Sequence, residues 1–149
     1  MDEPSGILQE TGTHGTSPGR YQYLLRDGSE ASFVAEGTRL SRKNRQEEAL
    51  YWFDQALQKR PGYPPALLGK AFAFGKMGQY DEEIRCCDRV LAEEPGSVDA
   101  LLEKAYALGK LGRFAEKIAC CDQALKASPA SAEAWNSKGQ ALGMLGRFE

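Results

Sequence analysis

The sequence predicts an all-α solenoid of stacked antiparallel helix pairs, and three observations carry that prediction. Landmarks return every 34 residues: Pro61, Pro95 and Pro129; Tyr80, Phe114 and Phe148; Gly78, Gly112 and Gly146; Leu57, Leu91 and Leu125. Whole phrases return with them, FGKMGQYDEEIRCCDRVL answering LGKLGRFAEKIACCDQAL. Within each period apolar residues fall three and four apart, the spacing of one helical face. Self-similarity at such a period marks an architecture in which each unit buries its apolar face against the next.

Residues 1–20 are rich in Gly, Ser, Thr and Pro. They bury too little apolar surface to offset the entropy of ordering, and read as a flexible tail or a segment foreign to the native chain. Residues 21–29 form a lead-in, where Tyr21, Tyr23, Leu24 and Leu25 are apolar enough to pack on the first helix. Four units follow: 30–63, 64–97, 98–131 and 132–149. In the third, Ala100, Leu101, Ala105, Leu108 and Leu111 share one face of a first helix. Gly112 stops that helix by accepting a left-handed backbone. A second helix is expected from about Ala115 to Ala127, with Ile118, Cys121, Ala124 and Leu125 inward, and Pro129 ends it. The fourth unit stops after one helix, which either caps the array or precedes a missing second helix; the apolar Trp135, Leu142, Leu145 and Phe148 read as an interior helix, so the native chain is expected to continue beyond Glu149.

The pattern resembles the tetratricopeptide repeat. That family has a large residue early in helix A, a small one four later, an aromatic at the inter-helix turn, a small residue opening helix B and a proline at its end. Here these are Leu67, Ala71, Tyr80, Glu83 and Pro95; then Leu101, Ala105, Phe114, Lys117 and Pro129; then Trp135, Gly139 and Phe148. The first copy diverges most, with Phe33, Gly37, Gln46, Ala49, Phe53, Ala56 and Pro61. Gln46 stands where an aromatic is usual, and Glu83 and Lys117 stand where alanine is usual. Those two charges predict a helix B that begins less tightly buried than in the family. The resemblance implies a right-handed superhelix whose A helices line a concave groove, and a protein-binding role.

Composition narrows the function. Residues 30–149 carry equal numbers of basic and acidic side chains, and the whole chain has a net charge of -2. A surface that tracks phosphates needs a basic excess, so nucleic acid is not the expected partner. No apolar run approaches the ~20 residues that span a bilayer, and no secretory leader pattern opens the chain, so a cytoplasmic protein with no membrane partner is expected. The only histidine, His14, lies in the tail, which removes most acid–base and nucleophile-activating arrangements. Cys86, Cys87, Cys120 and Cys121 form two adjacent pairs, but neighbours on a helix point about 100° apart and do not converge on one ion. Cys87 and Cys121 occupy a position that the resemblance makes buried, where Cys acts as a small hydrophobe. Asp81, Glu82 and Glu83 suit the positive end of a helix dipole. No catalytic residue, cofactor or metal ligand is predicted, and the chain is not expected to be an enzyme.

The groove positions implied by the resemblance include Val34, Thr38 and Arg42; Leu68, Phe72 and Lys76; Leu102, Tyr106 and Lys110; and Asn136 and Gln140. Val34, Leu68, Phe72, Leu102 and Tyr106 read as an apolar ladder not needed for the core, the kind of patch that marks an interaction site. Arg42, Lys76 and Lys110 read as a basic edge. Relatives that grip the carboxylate of chaperone EEVD tails use Lys, Asn and Arg at set groove positions. This chain offers Val34, Thr38, Gly69, Asp99 and Glu103 in one frame, and Leu68, Phe72, Glu103, Glu133 and Ser137 in the other. Acidic residues repel a carboxylate, so no such clamp is expected. The leading expectation is a module that binds an apolar peptide or helix of a partner protein. Two alternatives stand beside it: a self-assembling scaffold, using Trp135, Leu142 and Leu145 or a groove filled by a tail segment such as Ile7 and Leu8, and an accessory domain of a larger enzyme.

Overall fold

The computed structural model describes residues 28–146. The expectations for the tail, for residues 21–27 of the lead-in, for His14 and for Phe148 therefore lie outside the described residues. Seven α-helices fill the described chain: α1 (Glu30–Arg42), α2 (Gln46–Lys59), α3 (Pro64–Lys76), α4 (Tyr80–Glu93), α5 (Val98–Lys110), α6 (Phe114–Ala127) and α7 (Ala132–Met144). Among the described residues there is no strand. The fold is an all-α helical repeat solenoid. α6 opens on Phe114, one residue before its expected start.

The sequence sets the helix ends. Ser97 and Ser131 accept from the amides of Ala100 and Ala134 at 3.3 and 3.1 Å, one period apart, and so satisfy donors that the first turn leaves open. Gly78, Gly112 and Gly146 close the A helices with φ of 77°, 77° and 71°. In the first repeat the same place falls to Asn44, at φ 63°, a residue that tolerates this region better than most.

Two compact units divide the chain between Gly69 and Lys70. In the first, α1 packs on α2, and Leu40, Ala49, Trp52 and Phe53 are buried together with Phe33 and Val34 against them. In the second, α5 packs on α4, α6 and α7, and α6 packs on α7. Its core holds Leu101, Ala105, Leu108, Cys121, Ala124 and Ala134, with Leu102 and Leu125 packed on it. Leu111, expected inward, is exposed.

Two ion pairs recur in register between neighbouring helices. Lys104 reaches Asp88 and Lys138 reaches Asp122, each at 2.7 Å.

Candidate functional site

The starts of the B helices are not loosened by their charges. Glu83 is 0% exposed and Lys117 only 8%. Both are accommodated by glycine. A Cβ on Gly75 would lie 2.7–2.8 Å from the Glu83 carboxyl atoms, and one on Gly109 would lie 2.8 Å from the Lys117 Nζ. Each long side chain thus lies in a slot across helix A that exists only because no side chain fills it. The first repeat solves the same position with Ala49, and there residue 41 is Ser rather than Gly. The Ser41 hydroxyl donates to Gln46 Oε1 at 2.8 Å, and Gln46 Nε2 donates to the Ser41 carbonyl at 3.1 Å. Gln46 therefore replaces the family aromatic by closing a buried hydrogen-bonded pair.

Position 24 of each repeat shows a second matched set. In the first unit Phe53 is 1% exposed, and its ring lies where a Cβ on Gly37 or Gly69 would come within 2.6 or 2.4 Å. One period later the ring is replaced by Cys87, and the residue in register with Gly69 is Glu103. A further period on, the pair is Cys121 and Ser137. The small thiol leaves volume that a ring would occupy, and Glu103 lies half-buried close enough to raise the Cys87 pKa. Burial, the larger cause, and the two glutamates push that thiol well above its ordinary range. Burial is also the first cause raising Cys120 and Cys121. Such thiols are poor nucleophiles. Among the described residues no three His, Cys, Asp or Glu side chains converge as metal ligands.

Glu83 and Glu103 form the unusual electrostatic feature of the second unit. Neither Glu83 oxygen meets a hydrogen-bond partner among the described residues. Burial, and then the adjoining Glu103 carboxyl, raise the Glu83 pKa to about 9. Two carboxylates can only accept, so they oppose each other until one holds a proton and donates. Burial also raises Glu103, with Glu133 and Asp99 adding repulsion. Glu83 therefore does not serve the helix dipole as expected; it is a buried neutral acid at neutral pH.

The helices that bear Gly75 and Glu103 also carry two exposed rings. Phe72 is 44% exposed and Tyr106 47%. Phe72 sits one turn before Gly75 on α3, and Tyr106 one turn after Glu103 on α5. Lys76 Nζ stands 5.6 Å from the Phe72 ring centre, and Lys110 Nζ stands 5.4 Å from that of Tyr106. Lys76 and Lys110 of the expected basic edge are thus drawn over an aromatic ring of their own helix. Of the other ladder positions, Val34 and Leu102 pack on their unit's core and Leu68 is half-buried. Thr38 is half-buried, and Arg42, Asn136 and Gln140 are exposed. The groove positions do not carry equal weight: of the expected apolar ladder, Phe72 and Tyr106 are the exposed members.

Residues 40–142 match the family described as Psidin, N-terminal TPR repeats region. The chain belongs to this tetratricopeptide-repeat family. No curated protein sequence matches it significantly. Among solved structures, the first TPR of Spaghetti (RPAP3) bound to the HSP90 peptide SRMEEVD has a TM-score of 0.76 at 16% identity, covering 79% of this chain and 94% of that one. The Sgt2 TPR domain from Aspergillus fumigatus gives 0.75 at 15%, covering 78% and 79%. A thermophilic TPR protein of Thermus thermophilus gives 0.72 at 21%, covering 80% and 67%. At these identities the likeness is one of fold alone; membership of the tetratricopeptide-repeat family is what supports a protein–protein interaction module.

Proposed function

We propose that this tetratricopeptide-repeat chain binds an apolar peptide or helix of a partner protein, in the second unit across the outward rings of α3 and α5, and that it performs no catalysis itself. The observation that carries the reading is the pair Phe72 and Tyr106, large side chains left exposed in register. Aromatic side chains of this kind act as anchors because they bury much area at little rotamer cost. Two neighbours in fold hold HSP90 or HSP70 peptides, which supports a peptide as the kind of ligand. The acids Asp99, Glu103 and Glu133 argue against the same peptide here.

Phe72→Ala and Tyr106→Ala are each expected to weaken a cognate partner by at least tenfold, the effect of an interface anchor, while helical content by circular dichroism stays unchanged. An EEVD-ended peptide in the same titration is expected to show no saturable binding. Silent alanine variants, or a bound EEVD peptide, would sink the reading.

Self-association is a second reading, favoured by Trp135, Met144 and Leu145, which are exposed on and beside α7. Leu142, expected with them, is half-buried. Light scattering across protein concentration separates the two, a constant monomer mass excluding self-association.

A further inference from the structure

The acids on and against these helices have a chemistry of their own. Glu83 is fully buried with both carboxyl oxygens unpartnered among the described residues. It lies against Gly75, with Glu103 half-buried beside it and Asp99 and Glu133 acting on Glu103 from α5 and α7. What this arrangement lacks is a cation. Lys104 is committed to Asp88, Lys76 and Lys110 stand over the rings, and Lys117 lies in the Gly109 slot. A metal ion would need more ligands than converge here.

We propose that the Glu83–Glu103 pair receives one lysine or arginine side chain of the segment that binds across Phe72 and Tyr106. The inference rests on the groove reading above and names the chemistry of its ligand. The half-buried Glu103 is the contact group: it carries the single negative charge that the pair keeps at neutral pH, with Glu83 held neutral behind it and Asp99 and Glu133 adding to the negative potential. The aliphatic stem of the incoming residue lies along the rings, as long cationic side chains do on apolar surface. This inverts the charge logic of a carboxylate clamp: the groove selects a cation.

The test uses three acetylated, amidated peptides in which leucine alternates with lysine, glutamine or glutamate, titrated at about 150 mM salt to damp general attraction. The lysine peptide is expected to bind about tenfold more tightly than the glutamine peptide, the size of one charge-assisted contact, and the glutamate peptide least of all. Glu103→Gln should abolish the difference between lysine and glutamine peptides while leaving the glutamine peptide's affinity intact. Glu94→Gln removes an equal charge from an exposed site at the end of α4 and should leave the preference unchanged. Phe72→Ala should weaken all three together. Equal binding of lysine and glutamine peptides overturns the cation site but leaves the groove standing, and so does a preference that survives Glu103→Gln. Failure of all three peptides to bind overturns both.

Discussion

Alanine at Gly37 or Gly69 is expected to destabilise the first unit by about 1–3 kcal/mol, the usual cost of overfilling a packed core. In a helix interior this change ordinarily gains up to about 1 kcal/mol from backbone entropy. Here the new methyl would stand 2.6 or 2.4 Å from the Phe53 ring, which is itself buried and cannot swing into solvent. Steric repulsion at those distances exceeds the propensity gain. Gly139, in register with Gly37, supplies the control, because a Cβ there meets nothing within 4 Å. Gly139→Ala should be neutral or mildly stabilising. Phe53→Cys, the residue that later repeats use, should partly rescue Gly37→Ala. Thermal melts followed by Trp52 fluorescence, in a Trp135→Phe background, would check this. A wild-type melting temperature for both glycine variants would show that the ring yields freely and that the packing argument is wrong.

Replacing Glu83 by glutamine is expected to stabilise the second unit at neutral and alkaline pH and to flatten its stability profile. The sign follows from proton binding. Glu83 titrates near 9 in the folded chain against an ordinary 4.5, so the native state keeps a proton that the unfolded state releases. Its contribution is fully present below about pH 4.5 and is lost progressively as pH rises to about 9. The total loss is of the order of a few kcal/mol. Glu103 shifts in the same direction, with Asp99 and Glu133 around it. Glutamine fills the same volume, carries no charge to desolvate, and its amide can donate to Glu103. Urea unfolding at pH 5, 7 and 9 should show wild type weakening with pH and Glu83→Gln changing little. Parallel profiles for the two proteins would remove the buried-acid account.

The fold was legible because it is periodic. Prolines, glycines and a turn aromatic at fixed spacing specify where helices stop, and apolar spacing specifies which faces meet. The matched substitutions were harder to read. Glu83 and Lys117 at an alanine position suggest a loosened helix start until Gly75 and Gly109 are seen as the slots that take them. The signal was present: those glycines sit where the first repeat has Ser41, paired with Gln46 and Ala49. Sequence spacing alone does not say that residue 83 lies on residue 75, because that contact depends on helix crossing geometry. The ladder was legible as a set of positions, but not in its weighting. Whether Leu102 faces the core or the groove is decided by a rotation of α5 too small for a periodicity argument to resolve.

A bound segment should lie across the rings of α3 and α5. Adding the leucine–lysine peptide to the isotope-labelled chain and mapping which backbone and ring resonances move would locate it. Saturable shifts are expected, concentrated at Phe72, Gly75, Glu103 and Tyr106, with Asp99 and Glu133 affected less. Shifts confined to α7 around Trp135 and Met144, or spread evenly over every acidic residue, would contradict that placement.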